Sequence, residues 1–156
     1  MANSEVEEFS YNMSHPRRGK AIIFSHKTFD DQSLETRFGA EKDEESLCHT
    51  LTMLKFERKV YRDKTVKQIR RILRELSDED HSDADCLLVA VLTHGKEGGR
   101  LYDADGVDYS QDVLWDPFSK ETNDTLACKP KVFIINACRG DKVTTVKLIN
   151  ECLVVY

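Results

Sequence analysis

Seven consecutive apolar residues, Cys86–Leu92, run without interruption into Thr93-His94-Gly95. Seven residues are too few to cross a bilayer, and too uniformly apolar for a strand with one wet face. The run fits a strand covered on both sides, and such a strand belongs in a mostly parallel sheet with helices on both faces. Val132–Ile135, ending at Asn136, has the same character and supplies a second buried strand. Ala21–Phe24, just after Gly19, supplies a third.

Helical spacing fills the gaps between them. Between about Asp43 and Lys55, Leu47, Leu51 and Leu54 follow at i, i+4 and i+7, one apolar stripe. A short strand over Glu57–Tyr61 is expected next. Thr65 and Gln68 have the spacing of a capping box, with Val66, Ile69, Leu73 and Leu76 on one face behind them. Gly98 to Tyr109 is rich in turn formers and reads as a small hairpin. Asp103, Asp105 and Gly106 suggest a calcium loop, but Leu101 and Asp112 stand where that pattern needs Asp and Glu, so an ordinary turn is expected.

At 156 residues the chain has room for one domain with a real core. Lys and Arg number 23 against 28 Asp and Glu, a net charge of −5 with no long basic block. That excludes an electrostatic footprint for nucleic acid or an anionic membrane. Five cysteines without C-x-x-C spacing argue for reduced thiols and against a disulfide framework. No metal site is expected either: the adjacent Cys48 and His49 point apart around a helix.

In an open parallel sheet the chemistry gathers where strands end. One strand ends in His94-Gly95, another in Asn136-Ala137-Cys138-Arg139-Gly140, and the loop after the first carries Arg37-Phe38-Gly39. If the last two strands are neighbours, about 4.8 Å apart, His94 and Cys138 share one cleft mouth. An imidazole can take the thiol's proton, and the thiolate is a nucleophile. The Gly95 and Cys138 backbone amides are then placed to hold an oxyanion. Taken alone, His94 reads more often as a surface or hydrogen-bonding histidine and Cys138 as a structural thiol. The paired placement, each with a glycine within two residues, favours catalysis.

These residues resemble the caspase family of aspartate-directed cysteine proteases. Asn136-Ala137-Cys138-Arg139-Gly140 matches four of the five positions of the family signature Q-A-C-[RQG]-G, and His94 stands 44 residues upstream of Cys138. Arg37-Phe38-Gly39-Ala40-Glu41-Lys42-Asp43, His81-Ser82-Asp83-Ala84-Asp85-Cys86 and Lys129-Pro130-Lys131 are similar to further segments of its large subunit. The resemblance covers about Arg17 to Asp141. It implies an α/β fold, a three-layer sandwich with a mostly parallel sheet, lacking the small-subunit strands. Cys138 becomes the nucleophile, His94 its proton-transfer partner, and the Gly95 and Cys138 amides the oxyanion hole. Arg37 and Asn136 become substrate-binding residues for an aspartate, which a guanidinium fork suits. No cofactor and no metal are implied. The implied partners are protein substrates with Asp before the scissile bond, and a caspase small subunit or a full-length caspase paralogue. The implied setting is apoptotic signalling in the cytoplasm.

Three domain segments are expected: a short flexible leader over 1–18, the catalytic domain over 19–141, and a divergent apolar tail over 142–156 that covers a sheet edge or stays exposed. The chain also departs from the family. Asn136 stands where the family has glutamine, one methylene longer, and only 16 residues follow Gly140. Two functions fit: an endopeptidase that needs a small subunit supplied separately, and a weak or inactive homologue that binds and regulates full-length caspases.

Overall fold

The computed structural model describes residues 10–119, 123–139 and 141–149, with the backbone alone at 138–139 and 141–143. Its centre is a sheet of five long strands. In chain order these are β1 (Lys20–Ser25), β2 (Glu57–Arg62), β3 (Leu87–Lys96), β6 (Lys131–Arg139) and β7 (Asp141–Ile149). Their spatial order is β2-β1-β3-β6-β7; the first four are parallel and β7 returns antiparallel along β6. The expected hairpin forms from β4 (Arg100–Tyr102) and β5 (Asp108–Ser110), hanging antiparallel from the end of β3.

Alternation along the strands builds two cores. On one face Ala21, Ile23, Leu88, Ala90 and Leu92 meet helix α1 (Ala40–Met53) through Cys48 and Leu51. On the other, Ile22, Phe24, Leu87, Val89, Val91, Phe133 and Ile135 meet α2 (Val66–Ser77) and the short α3 (Asp112–Trp115). Burying one large side chain such as Phe24 or Phe133 contributes roughly 1.5–3 kcal/mol, so these alternating rows dominate the stability.

The capping box of α2 is present: Gln68 N–H donates to Thr65 Oγ1 at 3.3 Å, and Thr65 N–H donates to Gln68 Oε1 at 3.0 Å. The Val66 N–H donates to Asp103 Oδ2 at 2.7 Å, and Asp105 and Val107 N–H donate to Asp103 Oδ1. Asp103 is therefore the anchor of a turn and a second cap for α2, in line with the ordinary turn read from sequence.

Some boundaries differ from expectation. The stripe that α1 buries is Ala40, Glu44, Cys48 and Leu51, while Leu54 lies beyond the helix and is exposed. Small Ala40 and Cys48 let the helix sit close to the sheet, and Glu44 is tolerated because Arg62 Nε donates to its carboxylate at 3.2 Å. Residues 1–9 of the expected leader lie outside the described residues, but its end is pinned. His15 N–H and Arg18 Nη1 donate to the buried Asp85 carboxylate at 3.0 and 3.1 Å, and Arg17 bridges Ala84. In the expected tail, residues 142–149 belong to β7 (Asp141–Ile149) and cover the edge of β6. The rest lies outside the described residues. Among the described residues, no helix is long and apolar enough to cross a membrane.

One close approach locks the entry of β1 to that of β3. Gly19 has φ +125°, and a β-carbon there would fall 1.8 Å from the Cys86 carbonyl oxygen. Gly19→Ala is therefore expected to cost at least about 2–3 kcal/mol, seen as a lower urea midpoint. Gly98→Ala, with φ +75° but open space around it, is expected to cost about 1 kcal/mol.

Candidate active site

The carboxyl ends of β1, β3 and β6 lie side by side because the three strands are parallel neighbours. The β3–β6 register pairs Leu92 with Asn136, Thr93 with Ala137 and His94 with Cys138. Even-numbered positions of β3 and β6 fall on the α1 side of the pleat: Leu88, Ala90 and Leu92 pack there, as do Val132 and Ile134. His94 and backbone position 138 thus end neighbouring strands on one side of the sheet.

The loop between β1 and α1 orients the imidazole. His94 Nε2–H donates to the Glu35 carbonyl at 2.7 Å, since a carbonyl only accepts. The neutral ring then carries its lone pair on Nδ1. Phe29 lies against the ring, centroids 5.0 Å apart. Neither Phe29 nor Glu35 was legible as a site residue. Their contact with His94 joins a loop to a strand nearly sixty residues away, and no local pattern reports it. Gly95 continues β3 and pairs with Leu101 at the root of the hairpin.

Arg37 is buried and stands at the carboxyl end of β1. Its Nη1 donates to the His26 carbonyl at 2.6 Å, and its Nη2 lies 3.9 Å from Asp43 Oδ2. Its backbone N–H donates to Lys27 O, so the guanidinium is fixed at both ends of the residue. Asn136 is half-buried, two positions before Cys138 on β6. All five residues read from sequence, Arg37, His94, Gly95, Asn136 and Cys138, therefore gather at one end of the sheet.

Two readings need correction. β6 runs on through Asn136–Arg139, beyond the strand Val132–Ile135 read from sequence, because β7 pairs with it as far as Arg139↔Asp141 and completes its ladder. His26 is fully buried; its Nε2–H donates to Lys64 O at 2.9 Å. Cys128 is disulfide-bonded, against the expectation of reduced thiols throughout. Cys48 and Cys86 are free and buried, and burial pushes the Cys86 thiol up to about 11, which suits a structural residue rather than a nucleophile. Among the described residues no group of three or more His, Cys, Asp or Glu is arranged to hold a metal.

The model of the caspase domain matches residues 18–151. The chain belongs to the caspase family. It is 47% identical over 133 residues to Caspase-1 of Spodoptera frugiperda, covering 85% of this chain and 44% of that relative. It is 43% identical over 133 residues to Caspase drICE of Drosophila melanogaster, covering 85% of this chain and 39% of that one. The crystal structure of Caspase-1 from Spodoptera frugiperda superposes with a TM-score of 0.80 at 44% identity, over 90% of this chain and 57% of that chain. This caspase chain thus spans less than half the length of the curated relatives it matches, and corresponds to a large-subunit portion.

Burial holds the His26 imidazole below its usual range, so the folded chain keeps it neutral where the unfolded chain takes up a proton. Stability is therefore expected to fall as pH drops below about 6.5, toward the lower folded value. Urea midpoints from pH 7.5 to 5.0 should show this slope, and His26→Gln should flatten it.

Proposed function

We propose that this chain is the histidine- and cysteine-bearing portion of a caspase-like endopeptidase that cleaves proteins after Asp in cytoplasmic apoptotic signalling, working with a small subunit supplied separately. The β3–β6 register, which pairs His94 with Cys138 at the ends of parallel neighbours, carries this reading. With Nε2–H held by Glu35 O, His94 Nδ1 takes the proton of the Cys138 thiol. The thiolate then attacks the carbonyl carbon of the residue before the scissile bond. The tetrahedral oxyanion is held by the Gly95 and Cys138 amides. His94 next protonates the departing amine, leaving a thioester on Cys138 that water hydrolyses. Arg37 receives the substrate's aspartate carboxylate, with Asn136 a weaker second donor because its amide is drawn back by one methylene.

A second reading rests on β7. In an antiparallel ladder every residue of β6 has a neighbour on that side, and Cys138 has Lys142 as its Cα partner. An occupied edge leaves no place for another strand beside β6. That favours a weakly active or inactive homologue that binds and regulates full-length caspases, for as long as β7 stays in place.

Three outcomes are expected. The isolated chain cleaves an Asp-containing fluorogenic peptide negligibly, and adding a caspase small subunit raises cleavage. Cys138→Ala or His94→Ala then lowers that cleavage by at least about 100-fold. Asn136→Gln raises kcat/KM for Asp peptides by about 10- to 100-fold, the equivalent of restoring one hydrogen bond to a charged group. Titration of cleavage against added small subunit measures all three. If no cleavage appears at any ratio while the two chains co-elute, the regulatory reading replaces the enzymatic one.

A further inference from the structure

We propose that His26 is a positioning residue for His94, acting through the ring of Phe29. Three rings form a row that begins in the core and ends at the strand ends. His26 is fully buried, while Phe29 and His94 are half-buried. The His26 and Phe29 rings are 6.3 Å apart and 16° from parallel, the geometry of an offset stack. Phe29 and His94 are 5.0 Å apart at 32°. Phe29 is thus the link between a buried imidazole and the one at the end of β3.

The inner ring is fixed from three sides. His26 backbone N–H donates to Leu92 O at 2.9 Å, tying it to β3 two residues before His94. Its Nε2–H donates to Lys64 O at 2.9 Å, and the same carbonyl accepts the Ala104 N–H at 3.2 Å. The imidazole is therefore held against both the approach to α2 and the hairpin turn. Its own carbonyl accepts from Arg37 Nη1 at 2.6 Å. The chain that follows is pinned beside it: Lys27 N–H donates to Asp63 Oδ1 at 2.8 Å, and Asp30 N–H to Ala104 O at 2.8 Å. Phe29 lies between those two anchors, and the loop runs on to Glu35, whose carbonyl accepts from His94.

Packing alone does not account for an imidazole at this place. Its Nδ1 is buried with no hydrogen-bond partner among the described residues. An acceptor taken out of water without a donor costs stability, and a leucine would fill the space without that cost. What the imidazole adds is a flat face beside Phe29 and a donor that fixes the angle of that face. Seated against it, Phe29 limits how far the loop and the His94 ring can turn. Small displacements matter at a site of this kind, where a shift of about 1 Å can cost about 100-fold in rate.

What this contributes to cleavage rests on the peptidase reading; the positioning itself does not, and its test reads His94 directly. Nitrogen-15 spectra of the whole chain, assigned with His94→Gln, report the tautomer of the His94 ring. The wild type is expected to favour Nε2–H over Nδ1–H by about tenfold, the worth of one bond to Glu35 O. His26→Gln and His26→Leu both remove the flat face, and each is expected to cut that ratio at least about threefold. Phe29→Leu removes the middle ring and is expected to do the same. His26→Phe keeps the face without the donor, and is expected to hold the ratio nearer the wild type. With a small subunit supplied, His26→Gln is expected to lose about 10- to 100-fold in kcat at unchanged KM. The KM is kept because Arg37 bonds to a backbone carbonyl that the substitution leaves in place. An unmoved ratio in any folded Gln or Leu variant overturns the proposal, as does a His26→Phe variant that moves it as far. A ratio that shifts as expected while no cleavage appears counts against the peptidase reading alone.

Discussion

The parallel pairing of β3 with β6 is the constraint on which the other features rest. It runs from Leu87↔Lys131 to His94↔Cys138 without a break, so one register serves the core and the site together. Within it Val89 and Phe133 face α2, while Ala90 and Ile134 face α1. A slip by one residue exchanges those faces and buries the wrong set along the whole strand. The apolar core therefore enforces, through packing, the alignment that brings His94 and backbone position 138 to the same end of neighbouring strands.

Around this pair, buried polar groups hold the irregular chain. Asp85 ties down the N-terminal approach through His15 and Arg18, and Asp103 joins the hairpin loop to the start of α2. Arg37 joins the loop before α1 to the end of β1. Each is a charge removed from water and satisfied by backbone groups or an opposite charge, so removing its partners costs more than the bonds are worth net. The site at the strand ends is framed by these tethers. His94 takes its orientation from one of the framed loops, through Glu35 and Phe29. The outer boundary is different in kind: β7 is held mainly by its ladder along the edge of β6.

Continuous apolar runs and a capping box were readable because they are local and periodic. Cys86–Leu92, Val132–Ile135 and Thr65/Gln68 all became the elements expected of them. The buried face of α1 was misplaced by part of a turn, since leucine spacing alone does not reveal that Ala40 and Cys48 allow the closer approach. His26 looked polar in sequence, yet burial depends on the Lys64 carbonyl that meets it across the fold. The continuation of β6 to Arg139 depended on a partner strand following a turn, and hydrophobic pattern carries no such information.

The sequence by itself determined the class of fold and singled out the candidate reacting groups. Those depend on residue type, short-range spacing and ordered motifs, from Arg37 through His94 to Cys138. Tertiary structure alone decided which strands are neighbours, which nitrogen of His94 keeps its lone pair, and what lies beside β6. Pairing between distant segments is set by the packing of whole faces, and a hydrogen bond such as His94 to Glu35 exists only once that packing has brought loop and strand together.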